Sequence, residues 1–308
     1  DINLHVLFCE NLAPEGPVMK IGLALPANIP AVVPTDLIEW ARRCDSAPFS
    51  TLAANDRLAY VTGDPLALLA MSAGVTSRVR LMTSILIAPI RNAGVLATQA
   101  ATIDSLSNGR LTLGLAVGGR EDDFLVGQAP FHNRGKRFDE MLLHMRRVWA
   151  GDTFTKNSHA AGPNVVQEGG PEILLGGGSP AAIARVGKSA DGFIVGGGGN
   201  LERATEVYKS VLESWIEHER FGKPRFLSGL SYALGDDATI QQARSNQYDY
   251  YAWLGEKIAA DRAQTILTTP AAIREALASL ESIGVDEVIM QPTHPAVEQL
   301  DRAAVAVF

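Results

Sequence analysis

The chain has 308 residues, 46% of them hydrophobic and 20% charged, and a formal net charge of −7. That length and apolar content can bury a large core, and no apolar run reaches the length of a membrane span. The acidic balance argues against nucleic-acid binding by bulk electrostatics. The two cysteines, Cys9 and Cys44, fit a reducing compartment such as the cytoplasm better than a disulfide scaffold.

Residues 1–18 lack the basic start and long apolar core of a signal peptide. They read as an extension, with 19–308 as one catalytic domain. From there strands and helices alternate. Ile21–Leu25 reads as a strand, and Thr35–Cys44 as a helix after the Val33-Pro34 turn. Phe49–Ala53 is the second strand. Asp64-Pro65 opens a helix with an N-cap and a proline at its first position. Val79–Ala88 is the third strand, Asn92–Leu106 a helix, and Arg110–Val117 the fourth strand. Arg134–Ala150 is amphipathic, and a polar connector, 151–170, leads to the strand Glu172–Leu175. Ser179-Pro180 opens the next helix, before the strand Gly192–Val195. The strand Phe226–Leu234 precedes an addition, 236–268. Thr269-Pro270 opens the last barrel helix, and Glu287–Gln291 is the eighth strand.

Most of these strands are continuous Val, Ile and Leu runs, as in parallel sheets covered on both faces. Eight strand–helix units without a composition break favour an α/β fold of the (β/α)8 TIM barrel type, with insertions after strand 4 and strand 7, over a doubly wound open sheet.

Active sites of such barrels lie where strands end. After the second strand, Asp56 and Arg57 form an ion-capable pair that can polarise a bound ring or move a proton, or else an ordinary loop contact. Ser84-Ile85, inside the third strand, carries a hydroxyl that needs a partner if buried. Gly118 and Gly119 let backbone approach a ligand. Glu121, Asp122 and Asp123 after them have the composition of a helix first turn. Gly176, Gly177, Gly178 and Ser179 run into a helix and offer bare N–H groups to an anion, or make a plain tight turn. Val195, Gly196 and Gly197 begin a second glycine run at the next strand end, so one ligand across both would suit both. His294 is a proton-donor candidate or a loop histidine. Tyr251 and Trp253 either roof a flat substrate or pack in a core. No histidine or cysteine spacing suggests a metal.

The order of these signals resembles the luciferase-like family of flavin and deazaflavin oxidoreductases. The matching pieces are MKIGLALP, DPLALLAMSAGVTSRVRLMTSILIAP, LATQAATIDSLSNGRLTLGLAVGGREDDF, FHNRGKRFDEML and EILLGGGSPAAIARVGKSADGFIV. They cover most of 19–195; from Gly199 onward the match is weak. The resemblance implies a barrel with FMN or coenzyme F420 across its mouth, and a non-prolyl cis peptide at Ser84-Ile85. It implies that Gly177, Gly178 and Ser179 hold the cofactor phosphate, with Val195 and Gly196 beside them.

Two positions depart from the family pattern. Arg57 stands where a histidine is common, and an arginine cannot serve as a base near neutral pH. Val117 stands where some FMN members carry a phosphate-binding arginine, which leaves the backbone and Arg185 or Lys188 for that task. The short insertions, and Arg57, Arg91 and Arg120 near the mouth, lean toward F420-dependent hydride transfer on a small-molecule substrate. The alternative is an FMN monooxygenase served by a separate flavin reductase; a non-catalytic flavin-binding relative is a third reading. A sugar-phosphate barrel enzyme would put a lysine or glutamate at a strand end, and no lysine stands there. The resemblance also implies a homodimer.

Overall fold

A computed structural model describes residues 18–157, 159–196 and 200–308. The extension proposed for 1–18 and the site glycine Gly197 therefore lie outside the described residues, save for Val18.

Eight parallel strands close into a barrel in sequence order. They are β1 (Lys20–Ala24), β2 (Thr51–Ala54), β3 (Arg80–Ile87), β4 (Leu111–Ala116), β5 (Glu172–Gly176), β6 (Gly192–Val195), β7 (Arg225–Tyr232) and β8 (Glu287–Pro292). β8 pairs with β1 through Lys20↔Glu287 to Leu23↔Met290, which completes the ring. The expected (β/α)8 architecture is thus the observed one, and each expected strand lies within two residues of an observed one.

The helices are α1 (Pro34–Ser46), α2 (Pro65–Val75), α3 (Ala93–Leu106), α4 (Glu121–Val126), α5 (Arg134–Trp149), α6 (Pro180–Ser189), α7 (Leu201–Glu217), α8 (Asp237–Tyr251), α9 (Glu256–Gln264), α10 (Pro270–Ser282) and α11 (Glu298–Val307). Local chemistry starts several of them. Asp64 accepts from the Leu66 and Ala67 N–H groups, and Pro65 follows it at the head of α2. Ser179 caps α6 through Ala182, and Thr269 caps α10 through Ala272. Neither α7 nor α11 is among the expected helices, and the last barrel helix is not α10 but α11, which closes the ring after β8 and packs against α1 and α10.

Two apolar layers hold the barrel. Inside it, Ala24, Ala53, Met82, Leu174, Ile194, Leu227 and Ile289 form one cluster, with Ile85 packed on its rim. β4 contributes Gly114 there. A Cβ on Gly114 would sit 2.1 Å from the Thr83 carbonyl oxygen, so no other residue fits this β3–β4 contact. The larger cluster lies between strands and helices and buries Trp40, Phe49, Phe138, Phe193 and Phe226.

The N-terminal end of the barrel is closed by polar groups. Glu287, wholly buried, accepts from Ser50 Oγ at 2.5 Å and Thr51 Oγ1 at 2.6 Å, and pairs with Arg225. Arg225 also pairs with Glu172 at 2.5 Å, and Glu172 accepts from Thr112 Oγ1 at 2.8 Å. Charges so interlocked are satisfied within the protein, which leaves the opposite mouth to bind.

Two excursions shape that mouth. α4 and α5 follow β4. After β7 the chain leaves through α8, a short 3-10 turn at Ala252–Leu254 and α9, then returns beside its own exit. There Tyr232 bridges Leu267, the Leu267 N–H donates to the Ser231 carbonyl, and the Ala233 N–H donates to the Leu267 carbonyl.

Candidate active site

A cavity of about 320 Å³ opens at the C-terminal mouth. That volume is in the range of small-molecule and cofactor sites. Its apolar wall includes Ile85, Ile194 and Val195, and the β7–α10 excursion roofs it with Tyr250, Tyr251 and Trp253.

β3 makes the floor on one side. The Ser84–Ile85 peptide is cis, as the resemblance implied, and the β3–β4 register shifts between Thr83 and Leu86. Ile85 reaches across the mouth toward β5: a Cβ on Gly176 would lie 2.2 Å from Ile85 Cδ1. Gly118 (φ +82°) is constrained in the same way, since its Cβ would lie 2.6 Å from Ile87 Cγ2. Gly119 and Gly196 have open space where a Cβ would project.

Asp56 lies in this wall, but its partner is not Arg57. Asp56 Oδ2 accepts from the Ile87 N–H at 2.9 Å and from Arg91 Nη1 at 2.6 Å, and Oδ1 accepts from Arg91 Nη2 at 3.2 Å. The Asp56 side chain is 2% exposed. Its oxygens are spent on fixing the end of β3, so the expected Asp56–Arg57 pair is replaced by Asp56–Arg91.

Arg57 is absent from the cavity lining and packs at the base of the roof. Its Nη1 donates to the Tyr250 carbonyl, and its guanidinium carbon lies 4.2 Å from the Tyr60 ring centre and 4.9 Å from that of Tyr250. Its Nε is buried without a partner. Burial, then the charge of Arg120, lowers the Arg57 pKa. Burial likewise pushes the Tyr250 phenol up to about 12 and raises that of Tyr251. Both phenols therefore stay protonated at neutral pH.

A second arginine, which the sequence reading placed only loosely near the mouth, supports the roof from the β4 side. Arg120 stacks under Trp253 at 5.3 Å and donates to Asp123 Oδ2 from Nε at 3.0 Å and from Nη2 at 2.5 Å. Asp123 is wholly buried, and its Oδ1 accepts from the Ala59 N–H at 2.8 Å. Glu121, Asp122 and Asp123 all stand in the first turn of α4, as expected, but Asp122 is about half exposed while Asp123 is interred against Arg120.

The glycine loop after β5 lies beside the cavity. Gly176 pairs with Ile194, so Gly177, Gly178 and Ser179 follow next to the Ile194–Gly196 wall without lining the cavity itself. Gly177 has φ +139°. Neither cation expected near this loop stands over it. Arg185 is bound to Asp139 at 2.6 Å, and Lys188 is exposed in the last turn of α6. Arg203, at the start of α7, is the neighbour instead: a Cβ on Gly178 would lie 2.7 Å from its Nη2.

His294 is absent from the cavity lining. Its Nδ1 accepts from the Ala296 N–H at 3.3 Å and its Nε2 faces Gln242 Oε1 at 3.1 Å. Asn55, by contrast, lines the cavity with a buried Oδ1 that has no partner. Its position at a strand end was the available signal, overshadowed by its charged neighbours. Among the described residues no helix is long and apolar enough to cross a membrane, and no three His, Cys, Asp or Glu residues group as metal ligands.

The family model for luciferase-like monooxygenases matches residues 19–285. The chain belongs to the luciferase-like monooxygenase family. It is 34% identical over 141 residues to the F420-dependent glucose-6-phosphate dehydrogenase 1 of Rhodococcus jostii (strain RHA1), a match spanning 42% of each chain. The chain thus spans less than half the length of that relative. Two solved structures share the fold. The monooxygenase RslO1 from Streptomyces bottropensis superposes with a TM-score of 0.74 at 22% identity, covering 94% of this chain and 97% of its own. An F420-dependent secondary alcohol dehydrogenase, in complex with an F420-acetone adduct, superposes with a TM-score of 0.75 at 15% identity, covering 94% and 98%.

Proposed function

We propose that this luciferase-like protein is an oxidoreductase that binds coenzyme F420 at the barrel mouth and exchanges hydride with a small organic substrate beneath the roof. The observation that carries this reading is the cavity itself: an apolar wall of Ile85, Ile194 and Val195, with Gly118, Gly119 and Gly196 in its lining and the glycine loop after β5 beside it. Side-chain-free rims suit a flat tricyclic ring with an anionic tail. The F420 dependence named for the Rhodococcus relative supports the choice of coenzyme.

The residues fit such a group. Gly177, Gly178 and the N–H groups at the head of α6 would hold its phosphate, with Arg203 alongside. Ile85 and Ile194 would face its ring. When bound, the coenzyme supplies the carbon that takes or gives hydride. The protein positions and shields. Asp56 locks β3 through the Ile87 N–H and Arg91. Arg57 and Arg120 hold the roof that excludes water. The phenols of Tyr250 and Tyr251 hold their protons. Arg57 cannot serve as a base.

FMN with oxygen is a second reading, favoured by the aromatic roof, because oxygen activation needs a ring shielded from water. Fluorescence titration of the purified protein with F420 and with FMN separates the two. Micromolar binding of F420 alone supports the proposal; binding of FMN alone replaces it with the second reading; binding of neither ends both.

A further inference from the structure

The side of the mouth away from the glycine loop carries a donor set of its own. Asn28, Asn55 and Gln291 line the cavity, and among the described residues none of the three side chains hydrogen-bonds to protein. Asn28 follows β1, Asn55 follows β2, and Gln291 lies in β8. These three strands are consecutive in the closed barrel, so the carboxamides form an arc opposite β5 and β6. Gln291 folds back over β7, where a Cβ on Gly229 would sit 3.4 Å from its Nε2. Asn55 Oδ1 is buried and unsatisfied, a state that a ligand donor would relieve.

The charged groups in the same wall are engaged elsewhere. Asp56 is held by Arg91, and Asp123 by Arg120. Arg262 lies 5.6 Å from the Tyr251 ring centre and is itself partnered. Two aspartates and two arginines in the lining cancel. Arg120 already spends its Nε and Nη2 on Asp123, so an anionic substrate would compete with a buried carboxylate for the same guanidinium.

Resting on the reading of this cavity as a cofactor-and-substrate site, we propose that its substrate is a neutral, hydrogen-bonding compound — an alcohol, ketone or amide — held by Asn28, Asn55 and Gln291, and not a phosphorylated or carboxylated one. A carboxamide both donates and accepts, so each of the three can meet a carbonyl or a hydroxyl.

The test uses matched pairs and follows the cofactor titration, so the two readings fail separately. Cyclohexanecarboxamide against cyclohexanecarboxylate, and glucose against glucose 6-phosphate, are titrated by calorimetry into the protein with and without its cofactor. The expected result is that a neutral member binds at least about tenfold more tightly than its anion. Gln291→Lys should reverse that preference, and Asn28→Lys, on a loop, serves if the first variant fails to fold. An anion binding as tightly as its neutral partner overturns the proposal. So does a preference that neither lysine moves, or the absence of heat from both neutral compounds at millimolar concentration.

Discussion

Arg57, just past the end of β2, donates a hydrogen bond to the carbonyl oxygen of Tyr250, at the end of α8. The two residues are far apart in sequence, and this contact ties the roof to the barrel. The same guanidinium packs on the rings of Tyr60 and Tyr250. A charged hydrogen bond is worth about 1.5–3 kcal/mol and a cation–π contact about 0.5–2 kcal/mol.

Arg57→Ala should therefore loosen the roof. Substrate KM is expected to rise by about tenfold or more, with cofactor affinity unchanged. Arg57→Lys keeps the charge but not the planar fork, and should recover only part of the loss. Steady-state kinetics beside a cofactor titration check this. A fall in kcat at constant KM would instead give Arg57 a direct part in the chemistry.

Asp56→Asn should behave differently. It leaves Arg91 facing a neutral amide at a site where the arginine is 15% exposed and the aspartate 2%. Breaking a buried pair on one side costs about 3–5 kcal/mol, and because Arg91 keeps Asp64 at 3.1 Å the loss here lies at the low end of that range. The thermal midpoint is expected to fall by several degrees, because Asp56 holds the end of β3. Calorimetry reads this directly, and an unchanged midpoint would show that the Asp56–Arg91 pair does not hold the fold.

The glycine loop gives a test that separates backbone from charge. Gly177 has φ +139°, where L side chains are strained, and a Cβ there would meet Ala182 Cβ at 2.9 Å. Gly177→Ala measures that strain. Gly177→Asp adds a carboxylate beside the proposed phosphate, and cofactor Kd should rise by about tenfold or more beyond the alanine variant. Equal affinities for the two variants would move the anion away from this loop.

His294 predicts a pH dependence of stability. Burial, then Arg302, lowers its pKa in the folded state. Below the ordinary value of about 6.5, the unfolded chain binds a proton that the folded chain resists. Stability from this group is therefore full above that value, falls as pH drops through it toward the folded pKa, and levels off below. The half-buried ring makes the effect modest. His294→Gln should flatten that part of the curve, as followed by urea midpoints at about pH 7.5 and about pH 5. A wild-type curve already flat there would refute the argument.

Much of the fold was legible because its signals are local. Asp64-Pro65, Ser179-Pro180 and Thr269-Pro270 announce helix starts by chemistry within four residues, and the structure uses all three caps. α11 was missed because it starts after Val297 with no side-chain cap, and α7 because its Asn200 cap follows a glycine run that drew a ligand reading. The site was legible by position and less so by partner. Strand ends marked Asp56, Gly118 and Val195, the family resemblance marked Ser84, and all four line the cavity. That Asp56 would choose Arg91, or that Asp123 would be buried under Arg120, depends on contacts made only once β2, β3 and β4 stand side by side. Composition cannot tell a solvated first-turn acid from an interred one.

The excursion that carries Tyr250, Tyr251 and Trp253 departs and rejoins at one stitched point, where Tyr232 meets Leu267. Such a neck sets both ends of the canopy side by side, so a shorter or longer segment can be grafted there without changing the spacing of the barrel strands on either side.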